Sequence, residues 1–183
     1  MEEKLHLMTF YPTRGNIQDD LKVKLKGVLL AMCRDTSRRN LCVAHVEDGT
    51  IYCTNGHKIH WAEMEGLPEN GEYDVYILSK SRALFIKNEN CGTYPNVKNV
   101  IKPMAHSESI LGIAGISAIG IHSKTLINHH LVLETFNVLN KEGRAILSWG
   151  NPNNEQDVHY PIMLDNGLWK ALVMPVRDWN PIK

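Results

Sequence analysis

The chain has 183 residues, of which 43% are apolar and 22% charged. That is the composition of a globular protein able to bury a core without disulfide or metal staples. Twenty Lys plus Arg balance 20 Asp plus Glu, which argues against a strongly basic nucleic-acid coat and against an acidic disordered tail.

Residues 5–11 alternate loosely and carry Phe10 and Tyr11, so they read as a strand. A turn follows at 12–16. Leu21, Leu25, Val28, Leu29 and Met32 then repeat at the spacing of one helical face. Asp19 and Asp20 stand in its first turn, where acid meets the helix dipole favourably. Lys22 and Lys26 lie one turn apart off the apolar stripe, with Lys24 on its other flank.

The middle is β-rich. Strands are predicted over 40–46, 51–54 and 57–64, with a hairpin turn at Asp48-Gly49 and a break at Asn55-Gly56. Two more are predicted at 73–77 and 83–86. Residues 88–103 are rich in Asn, Gly and Pro and read as a connector. Residues 110–121 form the longest apolar run, but Gly112, Gly115 and Gly120 interrupt it, and it falls short of the roughly 18 residues of a membrane helix. Ser123 suits the cap of a helix over 124–140, with Leu126, Val132, Leu133, Phe136 and Leu139 on one side and Gly143 beyond its end. Strands follow at 145–149, 158–164 and 168–176.

Helices and strands do not alternate one for one. The expected class is α+β: two helices packed on mostly antiparallel sheets. The two halves, about 1–90 and 108–178, repeat the same strand-helix-strands layout around a connector near 88–107, within a single domain. The N-terminal Met-Glu-Glu-Lys does not resemble a signal peptide. Cys33, Cys42, Cys53 and Cys91 form no Cys-x-x-Cys pair and read as reduced thiols of a cytoplasmic protein without membrane contact.

Chemistry-bearing motifs are few. Cys53, His57 and His60 crowd together, with His129 and His130 downstream, and zinc favours such donors. On an extended strand that spacing spreads the side chains over both faces, so no metal site and no cofactor is expected. A zinc-dependent hydrolase using Cys53, His57 and His60 stands as the reading from another functional class. No Gly-x-Ser-x-Gly elbow and no phosphate-binding glycine loop occurs, so no catalytic residue is assigned and no enzyme is expected. Lys22, Lys24, Lys26, Arg34, Arg38 and Arg39 gather around the first helix, in reach of phosphates but without base readout.

Three groups of residues point further. Asp35-Thr36-Ser37-Arg38-Arg39-Asn40-Leu41, Glu47-Asp48-Gly49 and Thr54-Asn55-Gly56-His57-Lys58-Ile59 closely resemble the second domain of the bacterial β sliding clamp. There an Asp-x-x-Arg-x-x-Leu stretch precedes a strand pair and a Thr-Asp-Gly-His-Arg-Leu turn. The string Gly92-Thr93-Tyr94-Pro95-Asn96-Val97-Lys98-Asn99-Val100-Ile101 is similar to the connector leaving that domain. Leu172-Val173-Met174-Pro175-Val176-Arg177 resembles the clamp's C-terminal Met-Pro-x-Arg strand. The strings occur in clamp order and span residues of about 18 to 177. In this chain Asn55 stands where the clamps carry Asp, and Lys58 where they carry Arg.

The resemblance implies a DNA-clamp-like fold and a processivity factor for a DNA polymerase. In the clamps these strings converge on a cleft for short hydrophobic motifs of polymerases and other replication proteins. Its counterpart here would be Thr54, Gly56, His57, Lys58, Ile59, Pro95, Asn99, Val100, Met174, Pro175 and Val176. Lys22, Lys24, Lys26 and Arg38 would face duplex DNA through non-specific phosphate contacts. Clamp subunits have three domains and close a six-domain ring, so a homo-oligomer is implied. A stand-alone adaptor or decoy that captures clamp-binding peptides is the alternative.

Overall fold

The computed structural model describes residues 5–10, 17–79, 81–110, 135, 145–154, 157 and 159–175. The chain divides into two compact units, Met1–Val97 and Lys98–Lys183.

In the first unit, β1 (Leu5–Thr9) precedes helix α1 (Ile17–Leu29), and five strands follow: β2 (Ala44–Glu47), β3 (Thr50–Thr54), β4 (Lys58–Glu63), β5 (Gly71–Ile77) and β6 (Arg82–Lys87). Their sheet runs β1-β6-β5-β2-β3-β4, and every described pairing is antiparallel. The predicted helical stripe is the buried one: Leu25 and Val28 are inaccessible to solvent, and α1 packs on β3 and β4. All five residues of β3 are buried. Past Leu29 the helix tightens, Ala31 N–H bonding to Val28 O and Met32 N–H to Leu29 O. Such short-range bonds satisfy the carbonyls that a helix end leaves open. His60 of β4 meets another of them, its Nδ1 lying 2.7 Å from Gly27 O. A carbonyl only accepts, so Nδ1 carries the proton.

The strand expected from residue 40 begins at Ala44. Arg39–Leu41 is instead a turn of 3-10 helix. Its bonds are local, Leu41 N–H to Arg38 O and Cys42 N–H to Arg39 O, and they point Leu41 into the core. A second short 3-10 turn occupies Val97–Asn99.

In the second unit, β7 (His106–Ile110), β8 (Ala145–Trp149), β9 (Ile162–Asp165) and β10 (Lys170–Val173) pair antiparallel in that order. Trp169, Ile162, Leu164 and Leu172 are fully buried. β7 lies where the sequence predicts no strand, because His-Ser-Glu-Ser carries neither alternation nor β-branched residues. The helix expected over 124–140 lies outside the described residues except for Thr135, which is helical and buried. One α-helix is therefore described, where two were expected. No helix among the described residues is long and apolar enough to cross a membrane.

Candidate functional site

A network of hydrogen bonds closes the turn between β3 and β4 in the first unit. Thr54 Oγ1 donates to Lys58 O at 2.8 Å and accepts Gly56 N–H at 3.0 Å. Asn55 Oδ1 accepts the N–H groups of His57 and Lys58, both at 3.0 Å. Asn55 thus replaces the backbone partner that the turn lacks, which is the local use of Asn at turns. Gly56 adopts φ +89°, a conformation that L side chains avoid.

Arg38 lies against this turn. Its Nη1 donates to Asn55 O at 3.0 Å, and a Cβ on Gly56 would stand 2.6 Å from its Nη2. Arg38 is presented by its own loop. Asp35 Oδ1 accepts Ser37 N–H at 3.0 Å, and Arg38 N–H donates to Asp35 O at 3.0 Å. Hydrogen bonds from Ser37 hold the Asp35 carboxyl below its ordinary range, with the Arg38 charge assisting. The 3-10 turn then carries the chain to buried Leu41. Spacing alone does not disclose the Arg38 contact, because its partner lies 17 residues away.

The predicted cleft residues divide by exposure. Thr54, Lys58 and Ile59 are buried, Lys58 at 2% exposure, whereas Gly56 and His57 are exposed. Pro95 is exposed too. It follows Tyr94, which is buried, stacks on His45 at 4.8 Å between ring centres, and donates to Tyr52 O at 3.4 Å. Asn40 Nδ2 donates to Thr93 O at 3.1 Å, tying the start of the connector to the Arg38 loop. In the second unit, Asn99 is exposed, and Val100, Met174 and Pro175 are half-buried, the last two following β10. Val176 lies outside the described residues.

The predicted phosphate-facing cations are less uniform than the sequence suggests. Lys26 is exposed, and Lys22 and Lys24 are half-buried. Lys24 Nζ donates to Glu63 O at 3.2 Å. Lys24 also lines an open cavity of about 580 Å³ with Leu21, Asp48, Thr50, Glu63 and Glu65. Arg38 is exposed but engaged on the turn.

The zinc constellation does not assemble. Cys53 and His60 are cross-strand partners, both inaccessible to solvent, while His57 is exposed on the turn. Burial pushes the Cys53 thiol far up, away from the thiolate that metal binding requires. Burial, aided by the Lys58 charge and opposed by the Gly27 hydrogen bond, lowers His60 to about 3. Among the described residues no three His, Cys, Asp or Glu side chains form a metal-ligating group. His129 and His130 lie outside them.

No protein-family model matches the sequence, and no curated protein matches it. Solved structures do match. The chain is similar to the DNA polymerase III subunit beta from Pseudomonas aeruginosa, with a TM-score of 0.58 at 12% identity, covering 92% of this chain and 69% of that one. It is similar to the DNA polymerase sliding clamp from Bacillus subtilis, with a TM-score of 0.59 at 13% identity, covering 97% and 65%. The DNA polymerase III beta subunit from Thermotoga maritima gives 0.60 at 9% identity, covering 95% and 65%. The chain therefore has the fold of bacterial β sliding clamps and spans about two thirds of their length.

Proposed function

We propose that this chain is a clamp-like processivity factor, cytoplasmic and without catalysis of its own, that docks short hydrophobic motifs of a DNA polymerase or other replication proteins. The observation carrying the reading is the Thr54-to-Lys58 turn with Arg38 laid across it, on a clamp fold, in a chain that holds the clamp-type strings in clamp order. Gly56 and His57 present a bare backbone and an imidazole to a ligand. The clamp resemblance adds Pro95, Asn99, Val100, Met174, Pro175 and Val176 to the residues proposed for peptide binding. Lys58 and Ile59 shape the turn from beneath, being buried. Methionine adapts to varied ligands. One or two large apolar anchors, each worth about 1.5–3 kcal/mol on burial, supply part of the roughly 8 kcal/mol that a micromolar complex requires.

The test is a fluorescence-anisotropy titration with a labelled peptide carrying a Gln-Leu-x-Leu-Phe-like motif. Met174→Glu, which places a charge among apolar groups, is expected to weaken binding at least tenfold. Equal titrations for the two proteins would overturn the assignment.

A second reading, the stand-alone adaptor or decoy, is favoured by the engagement of Lys24 on Glu63 and of Arg38 on Asn55. Both cations have work inside the chain, which leaves Lys22 and Lys26 as the freer phosphate contacts on α1. Native mass separates the readings. A monomer supports the adaptor. A ring of six domains needs about six copies if each chain supplies one domain, or about three if each of the two units supplies one. Where DNA binds, log affinity is expected to fall steeply with log salt, irrespective of sequence.

A further inference from the structure

Cys33 and Cys42 bracket the loop that carries Arg38, and neither takes part in the chemistry proposed above. Cys33 N–H donates to Leu41 O at 3.0 Å, which lays residue 33 against the peptide joining 41 and 42. Both thiols reach one acceptor: Cys33 Sγ lies 4.0 Å and Cys42 Sγ 3.1 Å from Asp35 O. Sharing an oxygen caps the sulfur separation at about 7 Å, and the Cys33 N–H bond to Leu41 O holds the two backbones side by side, the kind of closeness that a disulfide requires. The two residues are half-exposed, whereas Cys53 and Cys91 are buried. Burial first, and then the neighbouring Cys33 thiol, raise the Cys42 pKa, as expected where one thiolate would form beside another sulfur.

We propose that Cys33 and Cys42 are a dithiol modification site that takes small-molecule disulfides and closes to an intrachain disulfide across residues 34–41. In the first step one cysteine thiolate attacks a sulfur of oxidised glutathione, forming a protein–glutathione disulfide and releasing one glutathione thiolate. In the second, the other cysteine attacks the protein sulfur and expels the second glutathione. The protein loses two hydrogens and two electrons, the reagent is reduced to two thiols, and the two protons pass to the departing thiolates. The hydrogen bonds to Asp35 O are given up, and a short covalent loop then holds Arg38. Thiolate is the attacking form, so closure accelerates as pH rises from 7 to 9.

The experiment incubates the native full chain with oxidised glutathione, blocks remaining thiols with iodoacetamide and maps the digest by mass spectrometry. The expected product is 2 Da lighter, with Cys33 and Cys42 joined and with Cys53 and Cys91 alkylated only after denaturation. Its thermal midpoint is raised by several degrees, since a cross-link restricts the unfolded chain. Cys33→Ser is expected to stop at a stable single glutathione adduct on Cys42. As a second probe, phenylarsine oxide is expected to bind one equivalent, forming two S–As bonds and releasing one water. Excess monothiol should remove it at least a hundredfold more readily from Cys33→Ser or Cys42→Ser. Separate glutathione adducts on Cys33 and Cys42 of the unaltered chain, or arsenical retention unchanged in both serine variants, would overturn the proposal.

Discussion

The two ends of β3 are built on similar sequences and differ in what surrounds them. At one end Asp48-Gly49 joins β2 to β3; at the other Asn55-Gly56 joins β3 to β4. Asp48, Gly49 and Gly56 all adopt positive φ, at 51°, 74° and 89°. Yet a Cβ on Gly49 would touch nothing within 4 Å, while one on Gly56 would strike Arg38. The first turn borders the open cavity beside Lys24, Glu63 and Glu65. The second is closed by Thr54, Asn55 and Arg38. Gly49 is set by backbone conformation alone and closes a hairpin. Gly56 is set by backbone conformation too, but a side chain distant in sequence also covers it, so this turn belongs to a surface assembled from separate segments.

The largest expected effect is acid loss at the closed end, where His60 stands on the turn's outgoing strand, β4. His60 is held neutral with a pKa of about 3, against 6.5 for the free side chain. The unfolded chain takes up the proton first, so the His60 contribution is complete above pH 6.5 and drains as pH falls towards 3. By pH 4 about 3 kcal/mol should be gone. Urea unfolding at pH 7, 5 and 4 measures this. His60→Gln should flatten the dependence by a similar amount. An unaltered pH slope in that variant would assign the acid sensitivity elsewhere.

Next in size is the contrast between the threonines at the two ends of β3. Thr54 Oγ1 makes two hydrogen bonds under cover. Thr54→Val leaves Gly56 N–H without its partner and Lys58 O with only the 3.4 Å bond from Asn55 N–H, and should cost about 2 kcal/mol. Thr50 is also buried, but its hydroxyl makes no side-chain hydrogen bond among the described residues. Thr50→Val should change stability by less than about 0.5 kcal/mol. Equal losses in chemical denaturation would mean that the closed end owes its order to packing rather than to Thr54.

Much of this was legible beforehand. Both turns are announced by Asp-Gly and Asn-Gly between apolar runs, and the 3.6-residue stripe of α1 marks the face that is buried. The illegible parts are those set by contacts distant in sequence. Arg38 reads as a phosphate-facing cation because nothing within a few residues predicts its bond to Asn55. Lys58 reads as a groove-lining stem, although it stands at a position that the pleat turns inward. Residues 40–43 look like a strand, but the local bonds around Arg38 and Arg39 curl Arg39–Leu41 into a 3-10 turn, and β2 begins only at Ala44. β7 lacks an apolar rhythm, and its pairing with β8 comes from the partner strand. The clamp resemblance survived low identity because it rests on turns, where a few residue types meet a fixed backbone need.

The smallest expected effect isolates the Arg38 contact itself. Gly49→Ala meets only the conformational penalty of positive φ, about 1 kcal/mol. Gly56→Ala meets the same penalty and also pushes Arg38 aside. The atom it strikes is the tip of a flexible side chain, so Arg38 yields rather than the backbone, and the added loss is about one hydrogen bond, roughly 1 kcal/mol. In an Arg38→Ala background that added loss should vanish, leaving the two alanine variants equally destabilised. A double-mutant cycle of Gly56→Ala with Arg38→Ala measures it as a coupling of about 1 kcal/mol. A coupling near zero would mean that Arg38 rests on the turn without bracing it.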